Sequence, residues 1–288
     1  MTLTIEQVTT LVGAHRYGST AAKIGFLLTD SRSLCFPEET LFFALRSERN
    51  DGHNYIPELY RRGVSNFVVV NVPKDYERLY PRANFLKVVS PLKALQRLAE
   101  RHRDAFNVPV IGITGSNGKT MVKEWLYQLL SPSMVVTRSP RSYNSQIGVP
   151  LSVWLMNEET QVGIFEAGIS QPGEMQALRD IIQPTIAVLT NLGAAHQENF
   201  GSMEEKCRQK MLLFHDAHTM VYDADDPIVA KMAAQLDEKG ERLYWSATDR
   251  QAPMFIKGIN KGEAATIIEY VYKQGKSRQY TIPYIDEA

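Results

Sequence analysis

The chain is nearly without cysteine: it has 2 among 288 residues, Cys35 and Cys207, without the paired spacing of a zinc or redox site. Two reduced thiols in a cytoplasmic protein are the expectation. No apolar run approaches the roughly 18 residues of a membrane-spanning helix. The first six residues carry no charged-then-apolar leader, so a cytoplasmic location without membrane insertion is expected. Charge of one sign is missing too. The 32 basic residues balance the 32 acidic ones, so no global field draws the chain to nucleic acid or an anionic surface. There is no internal repeat and no low-complexity tract. What is present is an ordinary globular composition, 44% hydrophobic and 22% charged, with enough chain for two domains.

The most informative stretch is Thr114-Gly115-Ser116-Asn117-Gly118-Lys119-Thr120. An apolar, strand-like segment (108–111, the strand running to 114) leads into it and a helix-like one (121–130) follows. A strand, a glycine-rich turn and a helix N-terminus make a phosphate cradle: glycines let backbone N–H groups approach the oxyanions, and the helix end adds partial positive charge. Lysine and threonine then reach phosphate and Mg²⁺. The commonest spacing puts glycine five positions before Gly118, where this chain has Ile113. A surface turn is the alternative for a chance Gly-Lys-Thr; the strand–helix context favours nucleotide binding.

Either side of this loop the pattern is α/β. The front part reads as a helix opened by Thr4 with Gln7, strands at 24–28, 40–45, 66–72 and 85–89, and helices at 53–62 and 91–106. The domain boundary is expected near 107, giving domains 1–107 and 108–288. In the second, helices and strands alternate through residue 247, which argues for a mainly parallel sheet with helices on both faces. Residues 265–272 and 278–285 flank Lys273-Gln274-Gly275-Lys276 and read as a hairpin.

A phosphate loop needs a carboxylate near Mg²⁺, usually from the C-terminal end of a neighbouring strand. Glu166 closes the apolar run 161–165 and, although a solvated turn residue is the commoner fate of such a glutamate, it would open on the same sheet edge as Lys119. The next strand, 185–190, delivers Asn191 and His196 to that edge, where His196 is a candidate second-metal ligand rather than a capping histidine. Lys206 and Lys210 follow at i, i+4; most such lysines are solvated, and spacing singles out neither.

These segments, together with Tyr143-Asn144-Ser145-Gln146-Ile147-Gly148-Val149-Pro150, Glu166-Ala167-Gly168 and Pro172-Gly173-Glu174-Met175, fall in the order seen in the Mur ligases and most resemble the MurF type. Asp30-Ser31-Arg32, Thr40-Leu41-Phe42-Phe43-Ala44-Leu45 and Asp51-Gly52-His53 resemble the UDP-binding domain shared by the MurE and MurF types. The resemblance implies an ATP- and Mg²⁺-dependent ligase of peptidoglycan precursor synthesis that adds D-Ala-D-Ala to UDP-N-acetylmuramoyl-tripeptide through an acyl phosphate. Lys119 and the backbone of 115–120 would hold the ATP phosphates, with Thr120 and Glu166 on the first Mg²⁺ and His196 on the second. Lys210 aligns with the lysine that the family carbamylates, Asn144 with an asparagine near nucleotide and muramoyl substrate, and Ser31 and Arg32 with contacts to the UDP end. Ser145 and Gln146 depart from the asparagine and acidic residue often found there. The family's C-terminal domain has no counterpart in this chain, so a fragment with weak or no ligation of its own is expected. It is expected to be monomeric, and a fusion to alanine racemase, known for some MurF-like ligases, stays open. Two other readings also stay open: a MurE-type or other ligase with a different substrate, and a non-catalytic module that binds the UDP-sugar-peptide.

Overall fold

The computed structural model describes residues 2–195, 197–236 and 240–283. They form two compact units, one of residues 1–107 with 153–158 and the other of residues 108–152 with 159–288. Among the described residues no helix is long and apolar enough to cross a membrane.

In the first unit Thr4 caps the helix Ile5–Val12: its hydroxyl accepts from Gln7 N–H and the Gln7 side chain accepts from Thr4 N–H in return. Strands Phe26–Leu28, Thr40–Phe43, Asn66–Val69 and Asn84–Lys87 run parallel in that order, because helical or looped crossovers separate them. His15–Tyr17 adds an antiparallel edge strand that sequence reading leaves out, its three residues being too few and too polar to show a period. The expected strand at 24–28 is split at Gly25. Lys23–Ile24 pairs with Leu3–Thr4, whereas Phe26–Leu28 joins the main sheet. Phe42, Phe67 and Phe85 form the centre of the core, with Phe67 stacked on Phe85 at 5.4 Å between ring centres. The segment 153–158 belongs here through Trp154, whose indole N–H donates to Gly25 O, and through Met156 O, bonded to His102 Nε2.

The second unit is organised by a sheet of nine strands among the described residues. Its central strand, Val110–Thr114, lies between Val162–Glu166 and Ile186–Leu189, all parallel and in register at their C-terminal ends: Glu166 faces Ile113, and Leu189 faces Thr114. Val136–Arg138 closes one side, and Thr219–Asp223 and Glu241–Ser246 continue the other. The chain visits the Val136–Arg138 edge first, returns to insert Val162–Glu166, then crosses to Ile186–Leu189. The strand order therefore reverses at Val110–Thr114, where open α/β sheets leave a crevice for ligands. Ile111 and Ile113 pack with Val122, Leu126 and Leu130 of the helix Lys119–Leu130, while Gly112, on the opposite face, meets Pro184 and Leu213. Both faces of the central strand are thus covered, as a strand that is apolar throughout requires.

Beyond residue 250 the sheet turns antiparallel through Met254–Lys261, Thr266–Tyr272 and Ser277–Ile282. The last two are the expected hairpin, with Lys273 and Gln274 at φ 47° and 57° in its turn. Their partner Met254–Lys261 is not evident from sequence because a register shift between Ile256 and Gly258 interrupts its alternation. Among the alternating helices is Pro227–Ala234, capped by the Asp226 carboxylate; residues 237–239 and 284–288 lie outside the described residues.

Candidate nucleotide and metal site

The loop after Val110–Thr114 is built on glycine. Gly115 has φ 144°, and a Cβ there would lie 1.9 Å from Thr190 Oγ1; Gly118 has φ 77° and starts the helix Lys119–Leu130. The loop is pinned to the end of the neighbouring strand. Ser116 N–H donates to Asn191 O, Asn117 N–H to Asn191 Oδ1, and Thr190 Oγ1–H to Asn117 O. Those two loop amides are therefore engaged, while the N–H groups of the helix's first turn have no carbonyl one turn earlier and are open to an anion. Lys119 folds back over the loop, its ammonium donating to Gly115 O at 2.8 Å and Ser116 O at 3.3 Å. Burial holds its pKa below the usual lysine value, against the attraction of Glu166.

Glu166 is completely buried at the end of its strand. Its Oε2 accepts from Thr120 Oγ1–H at 3.0 Å, and Ser142 Oγ lies 3.1 Å from the same threonine oxygen. Its Oε1 accepts no aligned hydrogen bond, although Lys123 Nζ stands 3.1 Å away as counter-charge. Among the described residues no three His, Cys, Asp or Glu side chains converge. One carboxylate and one hydroxyl on hard oxygens fit Mg²⁺, which keeps waters and takes phosphate oxygens to complete its shell.

Lys210 reaches the loop from the helix Met203–Met211, its Nζ donating to Gly115 O at 3.1 Å. Burial, helped by the charges of Lys119 and Lys206, lowers its pKa to about 7. Lys206, equally plausible from spacing, is also buried, but it donates to the carbonyls of Gly193 and Ala195. Asn144 sits in the loop that follows Val136–Arg138; its carbonyl accepts from Gly168 N–H at 2.8 Å, two residues past Glu166. The structure thus brings Thr114 to Thr120, Glu166 and Lys210 together and ties the Asn144 loop beside them. His196 lies outside the described residues.

Ser31 and Arg32 belong to the first unit. They occupy the single turn Ser31–Ser33, just past Phe26–Leu28, with Arg32 paired to Asp30 at 2.6 Å. At the same strand ends Asp51 Oδ1 accepts from His53 N–H and bonds His53 Nδ1, while His53 Nε2 accepts from Val70 N–H, which fixes the proton on Nδ1. Residues that sequence reading misses are Lys123, Ser139 and Ser142. Lys123 had a usable signal: it stands at i+4 from Lys119, on the helix face that turns toward the loop.

The family model described as Mur ligase middle domain matches residues 113–287. A UDP-N-acetylmuramoyl-tripeptide–D-alanyl-D-alanine ligase of Bacillus subtilis is 32% identical over 208 residues, which are 70% of this chain and 44% of that protein. A MurF of Acinetobacter baumannii has the same fold, with a TM-score of 0.87 at 24% identity over 100% of this chain and 61% of its own. The MurF ligase of Thermotoga maritima, solved in complex with ADP, is 27% identical with a TM-score of 0.76, over 89% of this chain and 57% of its own. The chain spans about half the length of such curated relatives. With its phosphate loop, its buried Glu166 at the same sheet edge and residues 113–287 matching the middle domain, the chain belongs to the Mur ligase family.

Proposed function

We propose that this chain forms the UDP-muramoyl-peptide-binding unit and the ATP-binding unit of a MurF-type ligase, which joins D-Ala-D-Ala to UDP-N-acetylmuramoyl-tripeptide in cytoplasmic peptidoglycan precursor synthesis. The observation that carries the reading is the convergence of Lys119, Lys210 and the Thr120–Glu166 pair on one phosphate loop. The names of the relatives point to the same reaction and substrates.

A carboxylate is a poor acylating agent. In the proposed reaction the tripeptide carboxylate takes the γ-phosphoryl group of ATP, and the amine of D-Ala-D-Ala then attacks the acyl phosphate and releases phosphate. Bound Mg²⁺ supplies charge neutralisation at the phosphates; Thr120 Oγ1 and Glu166 Oε2 would hold the first ion, and His196 and Lys210 the second. Lys119 lets go of Gly115 O and Ser116 O and turns its ammonium to the phosphates, while the first-turn amides of its helix take the remaining oxygens. Burial lowers the Lys210 pKa to about 7 and so favours the neutral amine, the form that carbamylation requires. The carbamate would change a cation into an oxygen donor toward metal. In the first unit Ser31 and Arg32 would contact the UDP end, and in the second Asn144 would serve nucleotide and muramoyl substrate.

Thermal denaturation of the chain with UDP-muramoyl tripeptide, with the dipeptide form and with UDP tests the reading. A ligand at 100 times its Kd adds about 2.7 kcal/mol to folded stability. The tripeptide is expected to give the largest shift; a shift no greater than that of UDP overturns tripeptide recognition by these two units.

A further inference from the structure

Lys123 is fully buried on the helix Lys119–Leu130 and has no part in the reaction above. Its ammonium donates to Ser139 O at 2.9 Å and to Arg141 O, and it lies 3.1 Å from both Glu166 Oε1 and Glu124 Oε1. It therefore joins three elements: the phosphate-loop helix, the strand end bearing Glu166, and the loop 139–144. Arg141 is held at φ 49°, a left-handed conformation that a non-glycine residue takes only when its surroundings impose it. Ser142 in the same loop reaches Thr120, and Ser139 Oγ accepts from Glu166 N–H.

Around this one ammonium stand two carboxylates, two carbonyls and, beyond Glu166, the hydroxyls of Thr120 and Ser142. Arg138 offsets the charge of Glu124, so without the ammonium the Glu166 carboxylate and the carbonyl and hydroxyl oxygens around it would be a set of hard donors with net negative charge, which a divalent cation satisfies. With it, a divalent ion approaching Glu166 meets a fixed positive charge at close range, in surroundings that screen poorly. Nucleotide phosphates bring the negative charge that offsets this repulsion.

We propose that Lys123 is a positioning residue that occupies Glu166 Oε1, leaves Oε2 and Thr120 Oγ1 as the metal-facing edge, and keeps this edge from holding a divalent cation until nucleotide arrives. The proposal rests on the reading of Thr120 and Glu166 as Mg²⁺ ligands.

Thermal denaturation without nucleotide, in EDTA and across a titration of MgCl₂ or CaCl₂, tests it on the wild-type chain and on Lys123→Met, Lys123→Gln and Lys123→Arg. The two neutral variants should lose stability in EDTA and regain it with metal, at concentrations at least about tenfold below any effect on wild type. Lys123→Arg, which keeps the charge, should respond to metal as wild type does. A loss in the neutral variants that metal does not restore overturns the proposal and leaves Lys123 a structural cation. If neither neutral variant folds in EDTA, the yield of folded protein after refolding is compared in Mg²⁺ and EDTA: a metal-dependent yield supports the proposal and equal failure overturns it. Wild type titrated with ADP separates the two levels. ADP stabilisation that grows with Mg²⁺, beside metal-insensitive variants, overturns the assignment of Lys123 alone; ADP stabilisation indifferent to Mg²⁺ overturns the reading beneath it.

Discussion

Both units are mainly parallel sheets with candidate residues at the C-terminal ends of strands, yet the large side chains they bury differ. In the first, the large fully buried side chains are aromatic and aliphatic, Phe42, Phe43, Phe67 and Phe85 among them, and the candidate Arg32 has a side chain 88% exposed. In the second, Lys123, Glu166, Lys206 and Lys210 are all buried within or beside the phosphate loop. Buried charge costs stability unless carbonyls and counter-charges surround it: Lys123 has Glu166 and the Ser139 carbonyl, Lys206 has the carbonyls of Gly193 and Ala195, and Lys210, with the Gly115 carbonyl and two lysines nearby, keeps a burial penalty. The difference fits two tasks. Holding one end of a ligand can be left to surface turns, whereas stabilising a charge-rich transfer calls for groups already oriented and out of water.

The contrast can be broken or sharpened by substitution. The largest effect is expected for Phe67→Ala, which opens a cavity where Phe67 meets Phe42 and Phe85 and should cost about 3–5 kcal/mol by denaturant unfolding. Gly115→Ala puts a methyl group against Thr190 at a φ that only glycine takes readily. A loss of about 2–3 kcal/mol and weakened ADP binding by calorimetry are expected. Lys210→Met should have the opposite sign. The folded pKa near 7 lies below the roughly 10.4 of an unfolded lysine, so below pH 7 both states are protonated and the burial penalty is complete. As pH rises toward 10 the unfolded state alone keeps the proton and the folded state gains. The substitution should therefore stabilise at pH 7, with the gain fading toward pH 10 in thermal scans. The smallest effect belongs to Arg32→Ala, expected to leave the denaturant midpoint almost unchanged while it weakens UDP binding; a large stability loss would blur the distinction between the units.

Much of this was legible in the sequence because it is written in local patterns. The capping box at Thr4, the apolar strand before Gly115, Glu166 at the end of another apolar run and the final hairpin are each carried by a few neighbouring residues. What stayed hidden depends on distant partners. The split at Gly25 arises because residues on either side of it pair with different strands. The return of 153–158 to the first unit rests on single bonds to Gly25 and His102. Lys206 and Lys210 share one helix face, and only tertiary contacts tell them apart: one reaches Gly115 and the other the carbonyls of Gly193 and Ala195. Lys123 reads as an ordinary helix lysine until Glu166 and the 139–141 carbonyls are placed around it.

The most direct test of the central claim, that these buried charges form a nucleotide and Mg²⁺ site, is an ADP titration with and without Mg²⁺, followed by thermal denaturation of wild type, Lys119→Met and Glu166→Gln. Wild type should be stabilised by ADP and further by Mg²⁺, by about 2.7 kcal/mol at 100 times Kd. Lys119→Met should lose most of the ADP shift, and Glu166→Gln should lose the part that needs Mg²⁺. A Glu166→Gln chain with the full Mg²⁺-dependent shift of wild type would contradict the claim.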